Sequence, residues 1–173
     1  GAAWMGWEGV LRILAWPALV AGFFATIYTG FLFAQGLARD LWQGPHSTID
    51  LLAQAVAEGA GALLLLSLVP GVTAAPGALT ALSWTLFAAI GVHLVLIVIE
   101  NVLMPSATLH HELAVRAICR GPFARIFWAG AVLCAAASLM MVQVAPVAAL
   151  LALVASFAWE YVWVEPGQSV PLS

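Results

Sequence analysis

An all-α bundle of membrane-crossing helices is the fold class this sequence predicts, and three observations predict it. Mean hydropathy is +1.07. Only 8% of the residues are charged while 64% are hydrophobic, whereas an ordinary soluble domain is about a quarter charged. The charges are also bunched, leaving residues 13–38, 59–99 and 126–159 without one. Each uncharged run exceeds the roughly 20 apolar residues that one helix needs to cross a bilayer.

The same composition excludes other classes. A net charge of −3 with no basic patch argues against nucleic acid as a partner. Cys119 and Cys134 lack metal-type spacing, so neither a cysteine-held cluster nor a metal site is expected. No phosphate-binding loop, dinucleotide fingerprint, zinc motif or nucleophile elbow is present.

Five spans are expected, all within one helical domain covering 1–173. Trp4 and Trp7, with Glu8 and Arg12, form an interfacial lead-in, because indole rings favour the headgroup zone. The first span covers about 10–38 and holds Pro17, which membrane helices tolerate. Tyr28, Leu32, Gln35 and Arg39 step by four, three and four residues, so they share one stripe. Lipid would not reward that stripe, so it is expected to face protein. Arg39 and Asp40 end the helix as a pair, and residues 42–48 form the first loop.

The second span, about 49–69, stops at Pro70-Gly71. Asp50, Gln54 and Glu58 recur every four residues along it, and Gly59 and Gly61 are expected to let a neighbouring helix approach. At ~1.5 Å per residue Glu58 lies about 12 Å further along than Asp50, deep in the bilayer. The third span, about 78–104, carries His93, Ile97, Glu100, Asn101 and Met104 on one face and ends at Pro105. Residues 107–120 alternate His110, His111, Glu112, Arg116 and Arg120 with apolar side chains, the pattern of an interfacial helix. The fourth and fifth spans cover about 123–142 and 146–164, with a break at 143–145. The last closes on Trp159-Glu160-Tyr161-Val162-Trp163, read as an aromatic belt. With five spans, Arg39, Arg116, Arg120 and Arg125 lie on the side of the C-terminus and Arg12 lies opposite. The positive-inside bias then puts the C-terminus in the cytoplasm.

Ionisable groups inside a membrane are costly and mark function by default. Glu58 is the sharpest such signal, a proton-relay or quinone-adjacent carboxyl, against a glutamate that only bonds across helices. Tyr28 reads either as a phenol donating to a quinone carbonyl or as a packed aromatic bonding the backbone. His93 is the lone histidine inside a span, too few for a bis-histidine haem, and reads as a relay member or a satisfied core histidine. Glu100 and Asn101 continue a relay from His93 or, the favoured reading, mark a solvated helix end. Glu160 reads as an interfacial anchor before a relay, and the arginines of 107–120 as topology-setting before partner docking. Relay carboxylates without a redox centre point to a subunit, not a complete enzyme.

Two segments carry a resemblance. Tyr28-Thr29-Gly30-Phe31-Leu32 with Arg39-Asp40-Leu41-Trp42, and the tail from Glu160 to Ser173, resemble the membrane subunit of the polysulfide reductase family, of the NrfD/PsrC type. The likeness covers essentially the whole chain, but only the C-terminal part of such proteins. They have eight or more membrane helices, so these five spans are expected to be the last five, with N-terminal sequence missing before Gly1. The resemblance implies a bacterial cytoplasmic membrane subunit that binds no haem or metal. It implies electron exchange between menaquinone or ubiquinone and a ferredoxin-like iron–sulfur partner, and anchoring of a molybdopterin or multihaem module. It further implies Tyr28 in a quinone pocket and Glu58 in a proton path, to which the reading of the residues adds His93 and Glu100. The rival readings are an ion- or proton-coupled transporter or channel subunit, and a purely structural membrane anchor.

Overall fold

The computed structural model describes residues 8–36, 39–44, 46–140 and 144–169. Six helices follow in order: α1 (Glu8–Ala34), α2 (Ser47–Leu66), α3 (Ala78–Val98), α4 (Leu109–Cys119), α5 (Ala124–Met140) and α6 (Ala145–Ser169). A short 3-10 turn (Asp40–Gln43) joins α1 to α2. Four of the helical stretches, α1, α2, α3 with its extension, and α6, are long and apolar enough to cross a membrane alone. The remaining expected span, the fourth, is α5, whose 17 described residues stop short of its predicted end. The lead-in Trp4 and Trp7, the end of the first span at 37–38, the break at Gln143 and the tail 170–173 lie outside the described residues.

The interfacial helix is α4. It meets α5 at a 70° bend and so lies across the end of the bundle. Thr108 starts it by accepting a hydrogen bond from the His111 backbone N–H at 3.1 Å. Its inner face buries Ala114 and Ile118, while Glu112, Arg116 and Arg120 face outward. The end of α1, the starts of α2 and α5 and the ends of α3 and α6 share the α4 end of the bundle.

Alanines make the core. Ala57, Ala60, Ala89, Ala137, Ala148, Ala149, Ala152 and Ala155 bring α2, α3, α5 and α6 together around Leu64, Leu86 and Ile90. Small side chains let membrane helices approach closely, which dispersion then rewards. Gly61 meets the Ala149 carbonyl on α6 in this way, but Gly59 faces open space and admits no helix. A second cluster, with Ile97, Ile118, Phe127, Trp159, Val162 and Trp163, seats α4 on the bundle end.

Three sequence expectations change. The stripe of Tyr28, Leu32 and Gln35 does not face this bundle: all three are exposed. The reason is that α1 rests mainly on α2 and the 3-10 turn, and its close face is set by Gly30, buried against Thr48. The third span is not regular to its end, because Ile99–Leu103 widens into a π-helical turn with Met104 N bonded to Ile99 O at 2.8 Å. The extra residue turns Glu100 and Met104 away from the row that buries His93, Ile97 and Asn101. The last helix runs to Ser169, past Pro166. Its closing aromatics Trp159 and Trp163 are buried anchors, not a belt.

Candidate functional site

Asp50 is the most demanding side chain in the molecule. It sits in the first turn of α2, only 4% exposed, and meets His93, 2% exposed, from α3. Asp50 Oδ1 lies 2.6 Å from His93 Nδ1. Its Oδ2 accepts from Gln54 Nε2 at 3.0 Å and from the Trp159 indole Nε1 at 3.1 Å. A carboxylate so buried is tolerable only with its lone pairs filled, and these three donors fill them. The α2 N-terminus adds a favourable field. With Nδ1–H committed to Asp50, His93 presents Nε2, which is buried and unpartnered. That nitrogen is the one available to take and release a proton.

Toward the α4 end lies a cavity of about 260 Å³ between the 3-10 turn, the π turn and α4. His46 Nδ1 and Glu100 Oε1 stand 3.4 Å apart in it, without the alignment of a hydrogen bond. Those two atoms and His111 Nδ1 are buried and lack a hydrogen-bond partner among the described residues. Leu41, Met104, Pro105 and Trp163 supply an apolar wall. Glu100 follows His93 by seven residues, which puts the cavity roughly 10 Å from the buried pair. On α4, outside the membrane-spanning helices, burial holds the His111 imidazole below its ordinary value, and the Asp40 carboxylate partly offsets this. His111 is therefore neutral at pH 7.

On the other side of Asp50, Glu58 and Glu160 line an open groove with Thr26, Thr29 and Gln54. Gln54 belongs to both places, since its Nε2 holds Asp50 while its buried Oε1 has no partner. The fold thus brings Glu58, Gln54, Asp50 and His93 into one row, with Glu100 in the cavity beyond. Tyr28 is not among them. It is 63% exposed on the outward face of α1 and lines none of these spaces.

Arg39 and Asp40 do more than end a helix. Arg39 Nη1 donates to the carbonyls of Gly167 and Gln168 at 2.7 and 2.8 Å, closing the end of α6. Asp40 accepts from the Thr108 hydroxyl, which itself caps α4. Trp42 Nε1 donates to Trp163 O at 3.2 Å, and its ring lies so close to Gly167 that an added Cβ would overlap the indole nitrogen. The Arg39–Trp42 segment and the closing segment of α6, far apart in the chain, are one clamp. A family model described as polysulphide reductase, NrfD, matches residues 2–171, both halves of the clamp included. The chain belongs to the NrfD family. No curated protein and no solved structure matches it.

Membership makes this NrfD chain a multi-pass membrane subunit of the quinone-linked oxidoreductase kind, one that works alongside partner subunits. The sequence had singled out Glu58, His93 and Glu100, and passed over Asp50, Gln54, Trp159 and His46 as site residues. The row Asp50-Gln54-Glu58 was the available signal. Depth along α2 alone favoured Glu58, but Asp50 is the more buried because α3 and α6 close over it. Trp159 was hidden by its place in an aromatic run, and His46 by its place in a loop.

Proposed function

We propose that this NrfD subunit takes up quinol or quinone from the membrane and exchanges its electrons with a ferredoxin-like iron–sulfur partner. A molybdopterin or multihaem module beyond that partner completes the complex. The quinone is menaquinone or ubiquinone, and the setting is a bacterial cytoplasmic membrane with the C-terminus in the cytoplasm. The observation that carries the reading is the cavity. His46, Glu100 and His111 line one space with an apolar wall, and each holds a buried polar atom that has no hydrogen-bond partner among the described residues. That combination suits a flat ring with an oxygen at each end.

On oxidation a quinol loses two protons and two electrons. In this reading a quinol hydroxyl donates to Glu100, and His46 accepts the second proton. The electrons leave to the partner, and the ring departs as quinone. Asp50 holds the His93 ring so that Nε2 relays protons inward, and Gln54 and Glu58 continue the row to the groove. Tyr28 enters as a lipid-facing phenol that meets a quinone arriving from the bilayer. A transporter would use the same row of polar atoms for an ion, but would turn over without a redox partner.

The test is quinol turnover by the intact complex carrying His46→Gln or Glu100→Gln, with copurification of partner subunits as the assembly control. Each variant should lose about 10²-fold in rate, the usual worth of a positioned acid or base. Glu58→Gln should slow turnover with assembly intact. Wild-type rates in both cavity variants would remove the cavity from the mechanism, and wild-type rates in Glu58→Gln would remove the groove.

A further inference from the structure

Where α4 bends into α5 a second space opens, a groove of about 430 Å³ between α4, the π turn and the start of α5. Arg116 and Arg120, four residues apart, lie on one face of α4 and line it. Both are exposed, and among the described residues neither takes part in an ion pair or a side-chain hydrogen bond. Glu112 shares the lip, so two guanidinium groups against one carboxylate leave the groove at +1. Its far wall is Trp128, whose Nε1 donates to the Cys119 carbonyl at 3.1 Å and so holds the ring at the bend. Below the arginines the wall turns apolar with Val102, which is exposed.

This arrangement has a direction. On a helix read as interfacial, guanidinium groups belong at the headgroup level and an indole at the interface, and Val102 and Val115 supply the apolar part of the lining. Guanidinium forks match phosphate oxygens in pairs, which a lysine point charge does not. A net positive groove that opens onto acyl chains selects a phosphate whose charge is not cancelled within its own headgroup. We infer that the α4–α5 groove is a binding site for the phosphate of an anionic phospholipid, with Arg116 and Arg120 as its cation pair and Trp128 as its wall. The site is separate from the cavity around His46 and Glu100, and it does not depend on the quinone reading.

The experiment is native mass spectrometry of the purified intact complex in detergent, titrated with phosphatidylglycerol or phosphatidylcholine. Phosphatidylglycerol should be retained in preference to phosphatidylcholine. Each arginine near a charged surface counts for a factor of about five, so Arg116→Gln with Arg120→Gln should weaken retention roughly 25-fold. Arg125→Gln removes a nearby exposed arginine that does not line the groove, and should leave retention unchanged. A loss in Arg125→Gln as large per arginine as that in the double variant would mean diffuse attraction, not a site, and would overturn the inference. So would displacement of the lipid by a modest excess of inorganic phosphate, which would show that the acyl chains are not read. If the double variant keeps its lipid and instead sheds a partner subunit, the arginines dock protein and the lipid assignment falls.

Discussion

At the residue scale the molecule turns on one carboxylate. Asp50 takes His93, Gln54 and Trp159 onto its two oxygens, and the three come from two other helices and its own next turn. Removing an acceptor shared by buried donors leaves each of them unsatisfied, at about 1–3 kcal/mol apiece. Asp50→Ala is therefore expected to lower the thermal midpoint of the purified complex sharply. Asp50→Asn is milder, since the carboxamide oxygen still accepts one hydrogen bond. Under the proposed mechanism it leaves assembly intact but cuts quinol turnover on the order of 10²-fold, because His93 then lacks the charge that stabilises its protonated form. Turnover near wild type in Asp50→Asn would reduce the pair to a packing device. The polar row of α2 was visible in the sequence as a four-residue repeat. Which member is deepest was not, because depth depends on the neighbours that close over it.

At the element scale the clamp decides where helices end. The 3-10 turn offers Arg39 to the last carbonyls of α6, Asp40 to the cap of α4 and Trp42 to the flank of α6. Glycine at 167 is required there by space, since a Cβ would overlap the Trp42 indole. Gly167→Ala is expected to destabilise the subunit by about 1–3 kcal/mol, the usual cost of overpacking, read as a lower thermal midpoint. Trp42→Leu should recover part of that loss when combined with it, and a double-mutant cycle showing no coupling would disprove the contact. Sequence reasoning recognised the Arg39–Trp42 segment and the tail as separate signatures. It had no means of seeing that they touch, because some 120 residues and four helices separate them. The π turn was equally hidden, since His93, Ile97, Glu100 and Asn101 read as one face of a regular helix through Ile99–Leu103.

At the scale of the whole molecule the prediction concerns orientation. The loop at 67–77 lies at one end of the bundle, and α4 with its arginines lies at the other. If arginine bias sets topology, a cysteine placed at Thr73 should react with an impermeant maleimide in intact cells, and one at Pro122 only after permeabilisation. Both native thiols, Cys119 and Cys134, would be replaced first. The opposite labelling pattern would invert the proposed topology and, with it, the side on which the partner subunit docks. The outward stripe of α1 belongs to this scale as well. The sequence marked Tyr28, Leu32 and Gln35 as a coherent face but could not say what covers it. In the bundle that face points away from the other helices.

What the sequence by itself determined is the class: helices, in a membrane, with acids and histidines placed where lipid would reject them. Hydropathy and charge spacing are local quantities, and each span carries its own record of them. The tertiary structure alone decided which of those polar groups meet. Asp50 finds His93 and Trp159, and Glu100 finds His46, because helix registers are set by alanine packing and by the clamp at the α4 end. Register between helices is a property of pairs, and no single stretch of the chain contains it.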